Sequence, residues 1–176
     1  MPRSSGTILR LLMLFFMLSA RLNAGAQDSL VFYPEVERIF VAAMRSFQAG
    51  AFDSAAREFQ RCIRDFPVHH RITASYIMAG KALYRSGNLR ESVRLLKNLI
   101  DLYPGSSYGD DAHYTLGLNY LRMGRSEDAA VEFLTAREMS RDGRLAARAE
   151  GLLDYIAEEY LTIGQLQLLA ADASAQ

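Results

Sequence analysis

Between Val36 and Arg141 the apolar positions recur at spacings of three and four residues, in runs of about four turns, with glycine closing one run and the next opening shortly after. Ile39, Ala42, Ala43 and Ser46 form one such stripe; Tyr76, Ala79, Gly80 and Leu83 form a second; His113, Leu116, Gly117 and Tyr120 form a third. Each predicts one buried face of a helix. Gly50, Gly87 and Gly124 follow these stripes at intervals of 37 residues, and Pro67 and Pro104 keep the same interval. A fixed period of this size predicts a repeat architecture.

The physics of one repeat is a helical hairpin. Glycine ends the first helix because it reaches positive φ at little steric cost. Proline stops the second helix, since it lacks an amide hydrogen and restricts the residue before it. Small residues at Ala43, Gly80 and Gly117, and at Ala55, Ser92 and Ala129, predict close approach of the two helices. Phe59, Leu96 and Phe133 then fill the space between them, and Cys62, Leu99 and Ala136 continue that face. Each hairpin keeps an apolar side that only another hairpin can cover, so the units must stack.

These residues, a small residue, a turn glycine, alanine, phenylalanine and proline at fixed offsets, resemble the tetratricopeptide repeat (TPR) family. The resemblance covers three units from about Val36 to Arg141 and implies an all-α fold, a right-handed solenoid of three hairpins. The "YPGSS" turn and the 37-residue unit are similar to those of envelope-associated TPR proteins of Gram-negative bacteria, the outer-membrane assembly lipoprotein and the Tol-Pal coordinator among them. Two features depart from those relatives: no lipid-acceptor cysteine follows the N-terminal apolar run, and no N-terminal coiled coil is evident.

The flanks read differently. Arg3 and Arg10, the unbroken apolar run from Leu11 to Leu18 and the small-residue pattern Ala24-Gly25-Ala26 predict a cleaved secretory signal over residues 1–26, with Gln27 as the mature start. An uncleaved anchor is the alternative, although the run falls short of the roughly 20 residues a bilayer span needs. Residues 27–35 form a lead segment. Residues 143–176 predict a capping helix, with Ala149, Leu152, Leu153, Ile156, Ala157 and Tyr160 as its stripe, or a partial fourth repeat, because Gly164, Leu166 and Leu169 match the offsets of a turn glycine and the residues after it.

Charge adds little. Lysine plus arginine equals aspartate plus glutamate at 20 each, which gives no nucleic-acid footprint. Loss of Arg3, Arg10 and Arg21 with the signal leaves the mature chain slightly acidic. The single cysteine, Cys62, excludes an internal disulfide and predicts a buried thiol.

Function is expected on the first helices of the hairpins, which line the concave face of a TPR stack. One residue round from the core stripe lies a second stripe: Phe40, Met44 and Phe47; Ile77, Lys81 and Tyr84; Tyr114, Leu118 and Leu121. Only Lys81 among these is charged, and exposed apolar area of this extent marks a contact surface. The expectation is a groove for an apolar or amphipathic peptide, with Lys81, Arg85 and Arg122 meeting its acidic groups or terminal carboxylate. The competing reading packs this stripe internally, against neighbouring first helices or beneath residues 29–34.

Chemistry finds few candidates. His69 and His70 are adjacent, follow Pro67 in a helix connection and lack metal-ligand spacing, so both read as surface histidines. His113 reads as a packed residue whose ring nitrogen finds a partner. Asp110 and Asp111 read as caps at a helix start. No phosphate loop, nucleophile elbow or Cys-His pair is present, and no cofactor or metal is expected. The resulting expectation is a non-catalytic, exported, periplasmic or secreted protein-interaction scaffold. It engages a protein or peptide partner, takes no nucleic acid, carries no lipid anchor and meets a membrane only through partners or an uncleaved signal. Two alternatives remain: the interaction module of a longer solute-binding or cell-wall synthesis protein, and an enzyme of unfamiliar type.

Overall fold

The computed structural model describes residues 31–159, so the signal sequence and the offsets at Gly164, Leu166 and Leu169 lie outside the described residues. Seven helices follow one another there: α1 (Pro34–Gln48), α2 (Phe52–Asp65), α3 (Ile72–Ser86), α4 (Leu89–Leu102), α5 (Gly109–Arg122), α6 (Ser126–Met139) and α7 (Gly143–Glu159). Consecutive helices pack on each other, and the first helices α3 and α5 also touch across the stack. The fold is an all-α solenoid of three hairpins, with α7 packed on the last.

The three turn glycines do identical work. Gly50, Gly87 and Gly124 have φ of 77°, 89° and 73°. Each is followed by an amide that reaches back five residues at 2.9 Å: Ala51 N–H to Ser46 O, Asn88 N–H to Leu83 O, Arg125 N–H to Tyr120 O. This is the Schellman closure of a helix end, which satisfies carbonyls the helix leaves open. Residues 37 apart therefore stand in equivalent backbone settings.

Side-chain packing repeats as well. A methyl group placed on Gly80 would lie 2.5 Å from Leu96 Cδ2, and one on Gly117 would lie 2.6 Å from Phe133 Cε1. The small residues are small because the large residue of the paired helix fills their space. Ala43, Ala55, Phe59, Leu96, Leu99, Ala129 and Phe133 are fully buried, forming the axis of a core continuous through the stack. Cys62 is buried too, in a smaller cluster with Val36 and Ile39, and burial pushes its thiol up to about 11.

A polar thread crosses this core. Ser92 Oγ donates to Gly80 O at 2.8 Å, and Asn119 Nδ2 donates both to Ser92 Oγ at 3.0 Å and to Thr115 O at 2.7 Å. Ser92 holds the position that alanine fills in the other hairpins, and its hydroxyl links the second hairpin to the third.

The lead segment returns over the α2–α3 connection. Val31 forms a parallel bridge with His69, Val31 O accepts from His70 N–H at 3.2 Å, and the Phe32 ring lies 4.6 Å from that of His70. Tyr33 packs on Phe66 at 5.3 Å. This corrects the reading of both histidines as surface groups. His69 has no exposed surface, and His70 is partly covered, with Nε2 2.5 Å from Glu37 Oε1. Desolvation, followed by the nearby charge of His70, lowers the His69 pKa to about 4. Nonlocal cover, invisible in the local spacing, explains the difference.

Candidate functional site

The first helices α1, α3 and α5, together with α7, line a cavity of about 260 Å³ bounded by Phe47, Lys81, Tyr84, Arg85, Asp111, Tyr114, Thr115, Leu118 and Arg148. Six of the residues anticipated from the sequence meet here: Phe47, Lys81, Tyr84, Arg85, Tyr114 and Leu118. Met44 and Leu121 are half-buried and pack against the core outside the cavity wall. Arg122 stands beside it, its guanidinium over the Tyr84 ring at 5.0 Å and Nη1 donating to Tyr84 O at 2.7 Å.

Phe40 and Ile77 correct the expected stripe. They are 9% and 1% exposed and belong to the core, Phe40 edge-on to Phe59 at 5.2 Å. In a stack, a first helix is covered by its hairpin mate and by the next hairpin, so its apolar arc is wider than one hairpin alone requires. Only Tyr114, at the equivalent position of the third hairpin, remains half-exposed.

The polar groups are arranged by the same register. Lys81 Nζ lies 2.9 Å from Asp111 Oδ1, joining α3 to α5. Asp111 therefore serves an ion pair between hairpins as well as the first turn of α5; the N-cap position is Tyr108, and within that turn Asp110 Oδ1 accepts from Asp111 N–H at 2.8 Å. One repeat further, Leu118 replaces Lys81 and Arg148 replaces Asp111. Arg148 thus meets no matching carboxylate and lies over the Tyr114 ring, 4.9 Å from its centroid. Arg85 lies over the Phe52 ring at 4.5 Å, and Phe52 in turn meets Phe47 edge-on at 5.3 Å. Neither arginine forms an ion pair among the described residues.

Asp111, Thr115 and Arg148 were not anticipated as site residues. Asp111 and Arg148 are 37 apart, so carrying the repeat into α7 is the signal that finds both.

Elsewhere the chemistry is spent on packing. His113 Nδ1 is 2.7 Å from Glu132 Oε2, the expected partner for a packed ring. Among the described residues, no three His, Cys, Asp or Glu side chains converge as a metal site requires. A larger depression of about 570 Å³ at the α3–α4 turn is lined by turn residues Gly87 to Glu91 and by Met123. Glu91 is already engaged there by Arg94 Nε at 2.9 Å.

Hairpins stacked with a glycine-closed first helix and an open face across their first helices define a TPR-type helical repeat protein. Residues 34–160 match the YfiO family, described as an outer membrane lipoprotein, and the chain belongs to that family. No curated protein sequence matches the chain. Solved structures share its fold. PcrH from Pseudomonas aeruginosa superposes with a TM-score of 0.63 at 17% identity, covering 74% of this chain and 98% of PcrH. The structure of PcrH in complex with the chaperone binding region of PopD gives 0.62 at 18%, over 70% and 92%. The Yersinia enterocolitica type III secretion chaperone SycD, in complex with a peptide of the translocator YopD, gives 0.63 at 15%, over 73% and 97%.

Proposed function

We propose that the protein is a non-catalytic interaction scaffold of the bacterial cell envelope that receives a peptide segment of a partner protein on the face lined by α1, α3, α5 and α7. The observation carrying this reading is the cavity itself, where apolar and aromatic side chains from three hairpins converge beside a few charged groups, Arg148 of α7 among them. The fold supports it, since the PcrH and SycD structures include a binding region of PopD and a peptide of YopD. Membership of an outer membrane lipoprotein family supports the envelope as its place of action.

The chemistry of the cavity favours binding over reaction. Its one acid, Asp111, is held by Lys81, and its arginines stay charged at any physiological pH. The test is photo-crosslinking in intact cells, with the photoreactive amino acid at Leu118 or, as a control, at exposed Arg57 on α2. The reading requires a discrete adduct from Leu118, absent from Arg57 and lost when Tyr84 is changed to Glu with the melting temperature retained. Equal adducts from both positions, or none, defeat it.

A further inference from the structure

Resting on that reading of the site, we infer that the segment received is acidic, placing a bulky apolar side chain between Tyr84, Tyr114 and Leu118 and a neighbouring carboxylate against Arg85 and Arg148. A cavity of about 260 Å³ is smaller than the range, from about 300 Å³ upward, typical of small-molecule sites. It suits one large side chain.

Charge decides what lies next to that side chain. Lys81 and Asp111 are paired at 2.9 Å, leaving Arg85 and Arg148 as the two cations of the cavity wall that form no ion pair among the described residues, with Asp142 the one carboxylate whose charge Arg148 is close enough to feel. The register explains why the second exists: at the step of the stack where Lys81 answers Asp111, the next repeat offers Leu118 to Arg148. Both guanidiniums lie over aromatic rings, Arg85 over Phe52 and Arg148 over Tyr114. The ring contact holds each group in place, and among the described residues neither commits an N–H to a hydrogen bond, which leaves both open to the bidentate pairing a carboxylate prefers. Arg122 contrasts with them, because one of its N–H groups is already committed to Tyr84 O. A cationic segment would be repelled here, and a neutral one would cover the guanidiniums without replacing their water.

The test pans a random peptide library displayed on phage against the intact chain and, in parallel, against the double variant Arg85→Gln, Arg148→Gln. The expected clones carry Asp or Glu beside Phe, Leu, Ile or Tyr, and are not enriched on the double variant. A synthetic peptide of the leading clone should bind at least about tenfold more tightly than its Asn/Gln counterpart at low ionic strength, consistent with charge-assisted hydrogen bonds. That ratio should fall to near one in the double variant, whose thermal melt is unchanged.

Enriched clones without acidic residues, lost on Leu118→Glu, would overturn the inference while leaving the peptide-binding reading intact. No clone dependent on Leu118 would overturn both. A concentration-dependent dimer abolished by Leu118→Glu would assign the face to a second copy of the chain, which also overturns it.

Discussion

Gly80 and Leu96 are in contact so close that a single added methyl group would stand 2.5 Å from Leu96 Cδ2 and 2.7 Å from its Cγ. Leu96 is fully buried, so it has no solvent into which to swing. Gly117 and Phe133 repeat the relationship one hairpin later, with three ring atoms within 2.8 Å of the added carbon. Alanine is the better helix former by about 1 kcal/mol, so helix propensity alone would make either substitution stabilising. Overpacking of a close-packed core typically costs about 1 to 3 kcal/mol, and it is expected to win. Gly80→Ala and Gly117→Ala should therefore lower stability in urea melts, Gly117→Ala more, since a buried ring yields less than a leucine tip. Ala129→Leu should loosen the stack on the same grounds. Unchanged midpoints would show that the hairpins are not clamped at these points.

Acid should weaken the fold in two separable windows. His69 titrates near 4 in the folded chain against 6.5 for a free imidazole, so between those values the unfolded chain takes up a proton that the folded chain refuses. Stability is then flat above about pH 6.5, falls toward pH 4 and levels off, by roughly 3 kcal/mol at most for a fully realised shift. Glu37 is held at about 2 by hydrogen bonds from Arg71 and then His70, so its contribution is present above about 4.5 and lost as pH falls through 2. Urea midpoints across pH should show the first limb disappear in His69→Gln while the second persists. A first limb of the same slope in that variant would place the titrating group elsewhere.

The ion pair between Lys81 and Asp111 is about one-third exposed on both sides, so screening by water limits what it adds to stability. Asp111→Asn should cost less than about 1 kcal/mol in a thermal or urea melt. Its effect on binding should be larger, because it releases Lys81 as a third cation on the wall and should strengthen capture of acidic peptides. A variant that unfolds would show instead that the pair organises the α3–α5 contact.

What could be read from the sequence, and what could not, follows from the range of the interactions. The turn glycines, the small-against-large pairs and the buried Cys62 are fixed by contacts within a hairpin or between repeats at a constant offset, and periodicity reports those directly. His69 is fully buried and bridges to Val31, which lies far from it along the chain, and no local pattern carries that information. Phe40 and Ile77 lie one residue from the core stripe, where the periodicity predicts groove, yet both are buried. A single-helix pattern does not say how much of its surface the next hairpin will cover. Arg148 was missed because the looser spacing in α7 hides the repeat, although its offset from Asp111 keeps the period.

The thread from Gly80 O through Ser92 to Asn119 gives the sharpest test of coupling between hairpins. Ser92 is fully buried, and alanine already fits its position in the first and third hairpins, so Ser92→Ala changes hydrogen bonding and little else. Its loss should cost about 1 kcal/mol, the net value of an ordinary internal hydrogen bond, with Gly80 O still served by its helix. Asn119→Ala removes a larger buried group and its bond to Thr115 O, and should cost about 2 to 3 kcal/mol, chiefly through the cavity it leaves, since Thr115 O is still served by its helix. Because Asn119 Nδ2 also donates to Ser92 Oγ at 3.0 Å, the two losses should not add. In a double-mutant cycle measured by urea unfolding, the pair should fall short of the sum of the singles by about 0.5 to 1 kcal/mol. Strict additivity would mean that the polar thread contributes no coupling between the second and third hairpins.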